Sequence, residues 1–456
     1  MTAYVSIFDT LCEIDENGKK FVSFDSAWNY LKSNSLSHII SYYRCEDSNE
    51  LRNMEKTFLT CIQYANIYSF MYHLCNQSGY PVKLHEMQKE CMKEFYMENA
   101  NFLLTKNDDM DFMNTFMVYY EKHKTFLVKW WFRYFAYLEH SFMFYQKMMR
   151  LEDQLNSQFY EFFYLPLENR ILSILSNSWN RERDNPQQKE MMLWNWMSFF
   201  KSFSFLRQEK QIFVYDIFNT FFLQQTREYY QRNAMEWKHT RTNLEYCSFI
   251  YEFRKMECQR IDFYLYEDSQ IELNKIFVEE TMMNMLDEIL ENKQDGILIL
   301  LEQKNYYDIQ KIFEMMLMIP NDVGTERFSI ITSKYIQDVL ENLISTLLSS
   351  TDAKEMNHVV ISNIADVIFH YFEVIEVKLN NHFMVFKKFH EILKDILNKK
   401  YQNWEFPLQF CIFVDNVMKT SSYEESVSML NMIIKMTTFI FEKDIFLESY
   451  RHYLSR

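Results

Sequence analysis

Four glycines in 456 residues, with only five prolines, constrain this chain more than any other feature. Average usage is about 7% Gly and 5% Pro. Tight β-turns and phosphate-cradling loops take Gly because it reaches positive φ without a Cβ clash, whereas a helix interior is weakened by it. The predicted fold class is therefore all-α. Aromatic residues make up 18% of the chain, and 29 Met add further bulk suited to wide helix–helix gaps. A Gly-rich phosphate loop is excluded, because isolated glycines cannot build one.

The formal net charge of −15 argues against nucleic acid as a partner, since phosphates would be repelled. Eight cysteines form no C-x-x-C pair, which predicts reduced, mostly buried thiols in a cytoplasmic and/or nuclear protein. The N-terminus "MTAYVSIFDTLCEIDENGKK" lacks a basic segment followed by an apolar one, and charges interrupt every long apolar run. A soluble, unexported protein with no membrane partner is expected.

Helical periodicity runs along nearly the whole chain, punctuated by short polar turns. "FDSAWNYLKSNSLSHIISYY" reads as a first helix with Ser23 or Asp25 as N-cap. "YANIYSFMYHLC" is a second, stopped by Gly79 and Pro81 in "NQSGYP". "LHEMQKECMKEFYMENANFLL", "FMNTFMVYYEKHKTF" and "LVKWWFRYFAYLEHSFMFYQKMM" follow as third, fourth and fifth, the last ending near Arg150. A second set starts at "SQFYEFFYLPLENRILSILSNSWN", with a break at "RERDNPQQKE". A third has loops at "NKQDG", "IPNDVGTER" and "SSTDAKEMN". Serial helical sets of similar length suggest a solenoid.

No catalytic pattern emerges. Asp108, Asp109 and Asp111 invite a magnesium–diphosphate reading, but Phe112 occupies the place of the needed third carboxylate; an N-cap with first-turn acids is the better reading. Two Glu-x-x-His units, Glu236/His239 and Glu355/His358, have di-iron spacing, yet chance alone gives about one such unit in a chain this rich in Glu. No metal and no cofactor is predicted, and a non-enzymatic role is expected.

The stretch Tyr64–Cys75 has an unusual distribution of apolar positions. At 100° per residue, Ile67, Phe70, Met71 and Leu74 make one face, and Tyr64, Tyr68 and Tyr72 step along its edge at i, i+4, i+8. Together they cover roughly 200° of arc, about twice what a core-facing stripe needs. Either the tyrosines extend the core or they await a partner.

Several stretches in collinear order resemble the cullin family, the scaffolds of multisubunit ubiquitin ligases. "IFVYDIFNTFFLQQTREYYQRNAMEW" is similar to the family's run at the end of its second repeat, through Tyr215, Phe221, Phe222, Leu223, Thr226, Tyr229 and Tyr230. "RIDFYLYEDSQIEL" matches a second tract through Arg260, Tyr264, Leu265, Glu267, Ser269, Glu272 and Leu273. "FPLQFCIFVDNVMK" resembles the opening of the family's following bundle through Pro407, Asp415 and Lys419, with Val414 where the family has Cys. "FEKDIFLESYRHYLSR" matches through Glu442, Lys443, Asp444, Phe446, Tyr450, Leu454 and Arg456.

The resemblance implies an elongated stalk of three five-helix cullin repeats. They would occupy 21–150, 151–267 and 268–401, after an N-terminal segment 1–20 and before the start of a helical bundle at 402–456. It implies that the second and fifth helices of the first repeat dock a BTB/POZ-fold substrate adaptor. By position the contacts are Tyr64, Ile67, Tyr68, Met71 and Tyr72, with Tyr137, His140 and Phe142 from the fifth helix. The family's RING-recruiting strand and modified lysine have no counterpart before Arg456, so a RING-finger subunit is not expected to bind this chain alone. A truncated or regulatory member, or a fragment, is expected. Two other classes stay open: a helical-rod vesicle-tethering or transport subunit, and a helical metalloenzyme using Glu236, His239, Glu355 and His358.

Overall fold

The computed structural model of the chain describes residues 7–14, 16, 20–45, 58, 60–185, 191–350, 356–401, 405–420 and 433–454. Two compact units divide it, Met1–Phe222 and Leu223–Arg456, and the boundary falls within one long helix. Among the described residues the fold is all-α apart from two short hairpins.

The first unit opens with α1 (Ile7–Leu11) and the antiparallel pair β1 (Glu13–Ile14) and β2 (Lys20–Phe21). Ser23 caps α2 (Phe24–Leu31), its hydroxyl accepting from the Ser26 N–H at 3.4 Å. A π-helical turn (Lys32–Leu36) carries the chain into α3 (Ser37–Arg44) without a loop. Thr60 and Gln63 form a capping box that starts α4 (Cys61–Cys75). Gly79, at φ 77°, turns the chain into α5 (Tyr80–Leu104), which has Pro81 in its first turn. That left-handed φ is where a glycine is needed.

Asp108 caps α6 (Asp109–Lys122), accepting from the Met110 and Asp111 N–H groups at 2.7 and 3.0 Å. Asp109 pairs with Arg170 and Asp111 with Lys106, at 2.8 and 2.7 Å. The acidic triplet is thus a cap with paired first-turn acids. The fourth and fifth helices, expected apart, run on through a π-helical turn (His123–Leu127) into α7 (Val128–Leu138). Nothing in "EKHKTFLVK" breaks a helix, and the extra residue in the π turn shifts the apolar face so that His123, Phe126 and Leu127 all point inward. A second π turn (Glu139–Met143) follows; buried Glu139 accepts from the Leu151 N–H at 3.1 Å and so caps α8 (Leu151–Gln158).

α9 (Glu168–Asp184) and α10 (Met191–Ser202) complete the helices of this unit before a hairpin that the glycine count did not predict. β3 (Ser204–Arg207) pairs with β4 (Lys210–Phe213) across Gln208 and Glu209, at φ 50° and 62°. Two positive-φ residues in a two-residue loop is the I′-type arrangement, normally filled by Asn-Gly. Tertiary packing holds it here: Phe205 stacks on Tyr160 at 3.9 Å, and the Ser157 hydroxyl donates to the Leu206 carbonyl at 2.9 Å. The core is aromatic, with Phe116 meeting the rings of Phe159, Phe163, Tyr164, Trp196 and Phe199.

α11 (Val214–His239) leads into the second unit. There follow α12 (Asn243–Tyr264), α13 (Glu267–Val278), α14 (Leu286–Leu290), α15 (Ile297–Glu302) and α16 (Tyr306–Met316). α17 (Val323–Ser350) packs against α19 (Phe383–Leu397), with α18 (Met356–Glu373) between them in sequence. α20 (Phe406–Thr420) packs against α21 (Lys443–Leu454). The expected loop "IPNDVGTER" is shorter than predicted: it ends at Asn321 and Asp322, both at positive φ, and α17 has begun by Val323. Most of the "SSTDAKEMN" loop lies outside the described residues.

Candidate partner-docking surface

α4 and α7 lie side by side, and their outward edges form one surface. Ile67, Phe70, Met71 and Leu74 of α4 point into the unit, none more than 6% exposed. Tyr68 and Tyr72 point out, at 41% and 47% exposure, and Tyr64 is half-buried. From α7, half-buried Tyr137 inserts between them, its ring edge-on to Tyr68 at 5.7 Å and to Tyr72 at 5.1 Å. Tyr64 extends the row, 6.4 Å from Tyr68. Edge-to-face pairs of this kind fix ring orientation. The result is a semi-rigid phenolic ridge that a second protein could cover at little rotamer cost.

The other residues expected at this surface divide by position. Ile67 and Met71 lie beneath the ridge, so they seat the tyrosines and do not themselves reach solvent. His140 is exposed and Phe142 half-buried in the π turn after α7, with the His140 ring 6.3 Å from Phe132. The Ser141 hydroxyl donates to the Tyr137 carbonyl at 2.6 Å, tying that turn to the ridge. The Cys75 thiol beside it is pushed up to about 11 by burial, with the Ser141 hydrogen bond opposing, and stays neutral. Phe144 and Tyr145, 74% and 75% exposed with rings 5.7 Å apart, were not singled out from the sequence. A π turn and a non-helical turn separate them from the helical face of Tyr137, so no local spacing singled them out.

Other chemistry is sparse. Among the described residues no group of three or more His, Cys, Asp or Glu could hold a metal ion, and no helix is long and apolar enough to cross a membrane. Glu236 and His239 are exposed on the last turn of α11; Glu355 and the side chain of His358 lie outside the described residues. All eight cysteines are free, but only Cys247 and Cys411 are buried, fewer than expected, because helices present Cys61 and Cys258 on outer faces.

The residues behind the family resemblance are mostly packing residues. Thr226, Tyr229 and Tyr230 on α11 are buried, as are Tyr264, Leu265, Ser269 and Leu273. The Tyr230 hydroxyl donates to Glu257 at 2.9 Å, and Glu257 also pairs with Arg260 inside the unit. Asp415 and Lys419 pair at 2.7 Å along α20, and buried Phe446 of α21 stacks on Phe410 at 5.7 Å.

Comparison with known proteins agrees with this packing. The family model described as the cullin alpha solenoid domain matches residues 48–456, and the chain belongs to the cullin family. It is 20% identical over 401 residues to "Putative cullin-like protein 1" of Arabidopsis thaliana, covering 85% of this chain and 55% of that one. To "Putative cullin-like protein 2" of the same plant it is 23% identical over 298 residues, 65% of this chain and 77% of that one. To "Cullin-1" of Oryza sativa subsp. japonica it is 21% identical over 410 residues, 86% and 54% respectively. The chain thus spans about half the length of two of these relatives.

Proposed function

We propose that this chain is a non-catalytic scaffold of a cullin-type ubiquitin ligase complex, seating a BTB/POZ-fold substrate adaptor on the α4–α7 ridge. Family membership supports the scaffold role. The observation that carries the docking role is the exposed pair Tyr68 and Tyr72 clasping Tyr137 of the neighbouring helix. Monomeric surfaces have little reason to order three phenols in the open; interface centres are enriched in Tyr. Tyr68, Tyr72 and Tyr137 make the contact, Tyr64, His140 and Phe142 its rim, and Ile67 and Met71 its foundation. Work is done geometrically, by holding the adaptor in place, and ubiquitin transfer belongs to other subunits. The place of action is cytoplasmic and/or nuclear.

The test is co-purification of the tagged chain from native cells, followed by identification of bound proteins. A BTB/POZ-fold protein captured by the wild type and lost from Tyr68→Ala/Tyr72→Ala is the expected result. Capture of such a protein unaffected by the double variant removes the ridge from the interface. Association with vesicle proteins and no adaptor supports a tethering role instead.

A further inference from the structure

A groove of about 360 Å³ lies between α12 and α16 in the second unit. Its floor is Met315 and Cys247, 2% and 5% exposed, with half-buried Met318 beside them just past the end of α16. Burial pushes the Cys247 thiol up to about 12, so it stays neutral and the floor carries no charge. Tyr251 stands at the lip, 55% exposed, with no ring stacked on it among the described residues. Thioethers adapt to many apolar shapes, and an exposed phenol offers an open aromatic face.

The charges at the rim do not balance. Lys311 and Glu314 pair with each other at 2.8 Å, and Glu314 also accepts from the Gln310 amide at 3.3 Å. Glu252 is the remaining lining charge. It is exposed, next to Tyr251 in the chain, and has no ion-pair or hydrogen-bond partner among the described residues, Lys255 one turn on included. The groove thus joins an apolar seat to an unpaired carboxylate and an open ring face, on a chain of net charge −15.

We propose that this groove docks an extended segment of a partner protein that presents an apolar side chain beside an arginine. The apolar side chain seats on Met315 and Cys247, and the guanidinium lies over Tyr251 while pairing with Glu252. Arginine suits both contacts, because it stacks on aromatic faces and forks onto carboxylates, whereas the lysine ammonium is a point charge. Ligand-sized pockets start at about 300 Å³, so the groove takes one or two side chains and not a folded element. Surfaces between stacked helices are where repeat proteins receive partners. The groove lies in the other unit from the tyrosine ridge and does not rest on the adaptor reading.

Panning a displayed library of short random peptides on the full chain, with deselection on the Tyr251→Ala/Glu252→Lys variant, tests it. Peptides that the wild type retains and the variant does not should carry Leu, Met or Phe next to Arg. As labelled synthetic peptides read by fluorescence anisotropy, they should bind about tenfold or more weakly to Glu252→Lys and to Met318→Glu. Binding to Tyr68→Ala/Tyr72→Ala should be unchanged. A peptide with Glu in place of its Arg should bind Glu252→Lys more tightly than it binds the wild type, a reversal that a folding defect would not produce. The proposal is overturned if no peptide separates wild type from variant, if those that do lack a basic residue, or if the charge exchange brings no reversal. It is equally overturned by a dimer of the chain that Glu252→Lys dissociates, which assigns a second copy, or by saturable binding of phenethylamine with no peptide selected, which assigns a small amine.

Discussion

The two units are packed from different materials. Among the bulkiest fully buried side chains, Trp131, Trp179, Trp196, Tyr43, Tyr96, Tyr164, Phe70, Phe112, Phe116 and Phe126 belong to the first unit and only Tyr230 and Tyr246 to the second. The second relies on aliphatic layers such as Ile344, Ile361, Ile364, Ile368 and Leu393. Rings are wide, stiff and directional, so their packing fixes orientation as well as volume; π turns occur in both units, as at His123–Leu127 and Val374–Lys378. Branched aliphatics fill gaps between helices with less demand on ring orientation. The unit with the stiff core is also the one that carries the phenolic ridge, and a docking surface gains from a foundation that does not yield.

The contrast can be broken most sharply at Phe116, the ring that touches five others. Phe116→Ala should cost about 3–5 kcal/mol, as large cavities do. Urea unfolding followed by tryptophan fluorescence reads it, since six of the eight tryptophans lie before residue 223. A loss below about 1 kcal/mol would mean that the aromatic cluster repacks freely.

Next in size is a pH effect confined to the first unit. His123 accepts from the Tyr96 hydroxyl at Nδ1 and donates from Nε2 to Asn156, at 2.9 and 3.0 Å, so its ring is held neutral. Burial depresses it to about 4, with the Asn156 hydrogen bond opposing. The unfolded chain, titrating near 6.5, then binds more protons between those values. This contribution is complete above pH 6.5 and is lost as pH falls toward 4, on the order of 3 kcal/mol in all. His123→Gln should flatten that part of the urea-midpoint profile; an unchanged slope would place the pH dependence elsewhere.

Smaller effects sharpen the comparison. Ile364→Val, in the aliphatic core, should cost about 0.5–1.5 kcal/mol by calorimetric melting, well under the Phe116 change. Replacing Gln208 and Glu209 by Asn-Gly relieves two positive-φ positions and should raise stability by about 1 kcal/mol. A destabilised double variant would show that these side chains, and not the turn geometry, hold the hairpin.

Much of this was legible in the residues. Ser23 and Asp108 announced their helices as polar caps before apolar periods, and Gly79 with Pro81 marked the break after α4. The π turns were not legible, because "HKTFL" and "KSNSL" suit α and π helices alike and tertiary packing chooses between them. The hairpin hid behind Gln208–Glu209, which carry no turn chemistry. At the ridge, the i, i+4, i+8 tyrosines could be read from one helix. The insertion of Tyr137 between two of them depends on how α4 and α7 pack, which no local pattern encodes. Phe144 and Tyr145 looked like more of the fifth helix's apolar face, and only the structure turns them outward.

The ridge is tested most directly by titrating the captured adaptor against wild type, Tyr68→Ala and Tyr72→Ala in a calorimeter. Each variant should lose about 1–3 kcal/mol of binding free energy while its urea midpoint shifts by less than about 1 kcal/mol. Wild-type affinity in both variants, or a loss of folding that matches the loss of binding, would contradict a docking role for these phenols.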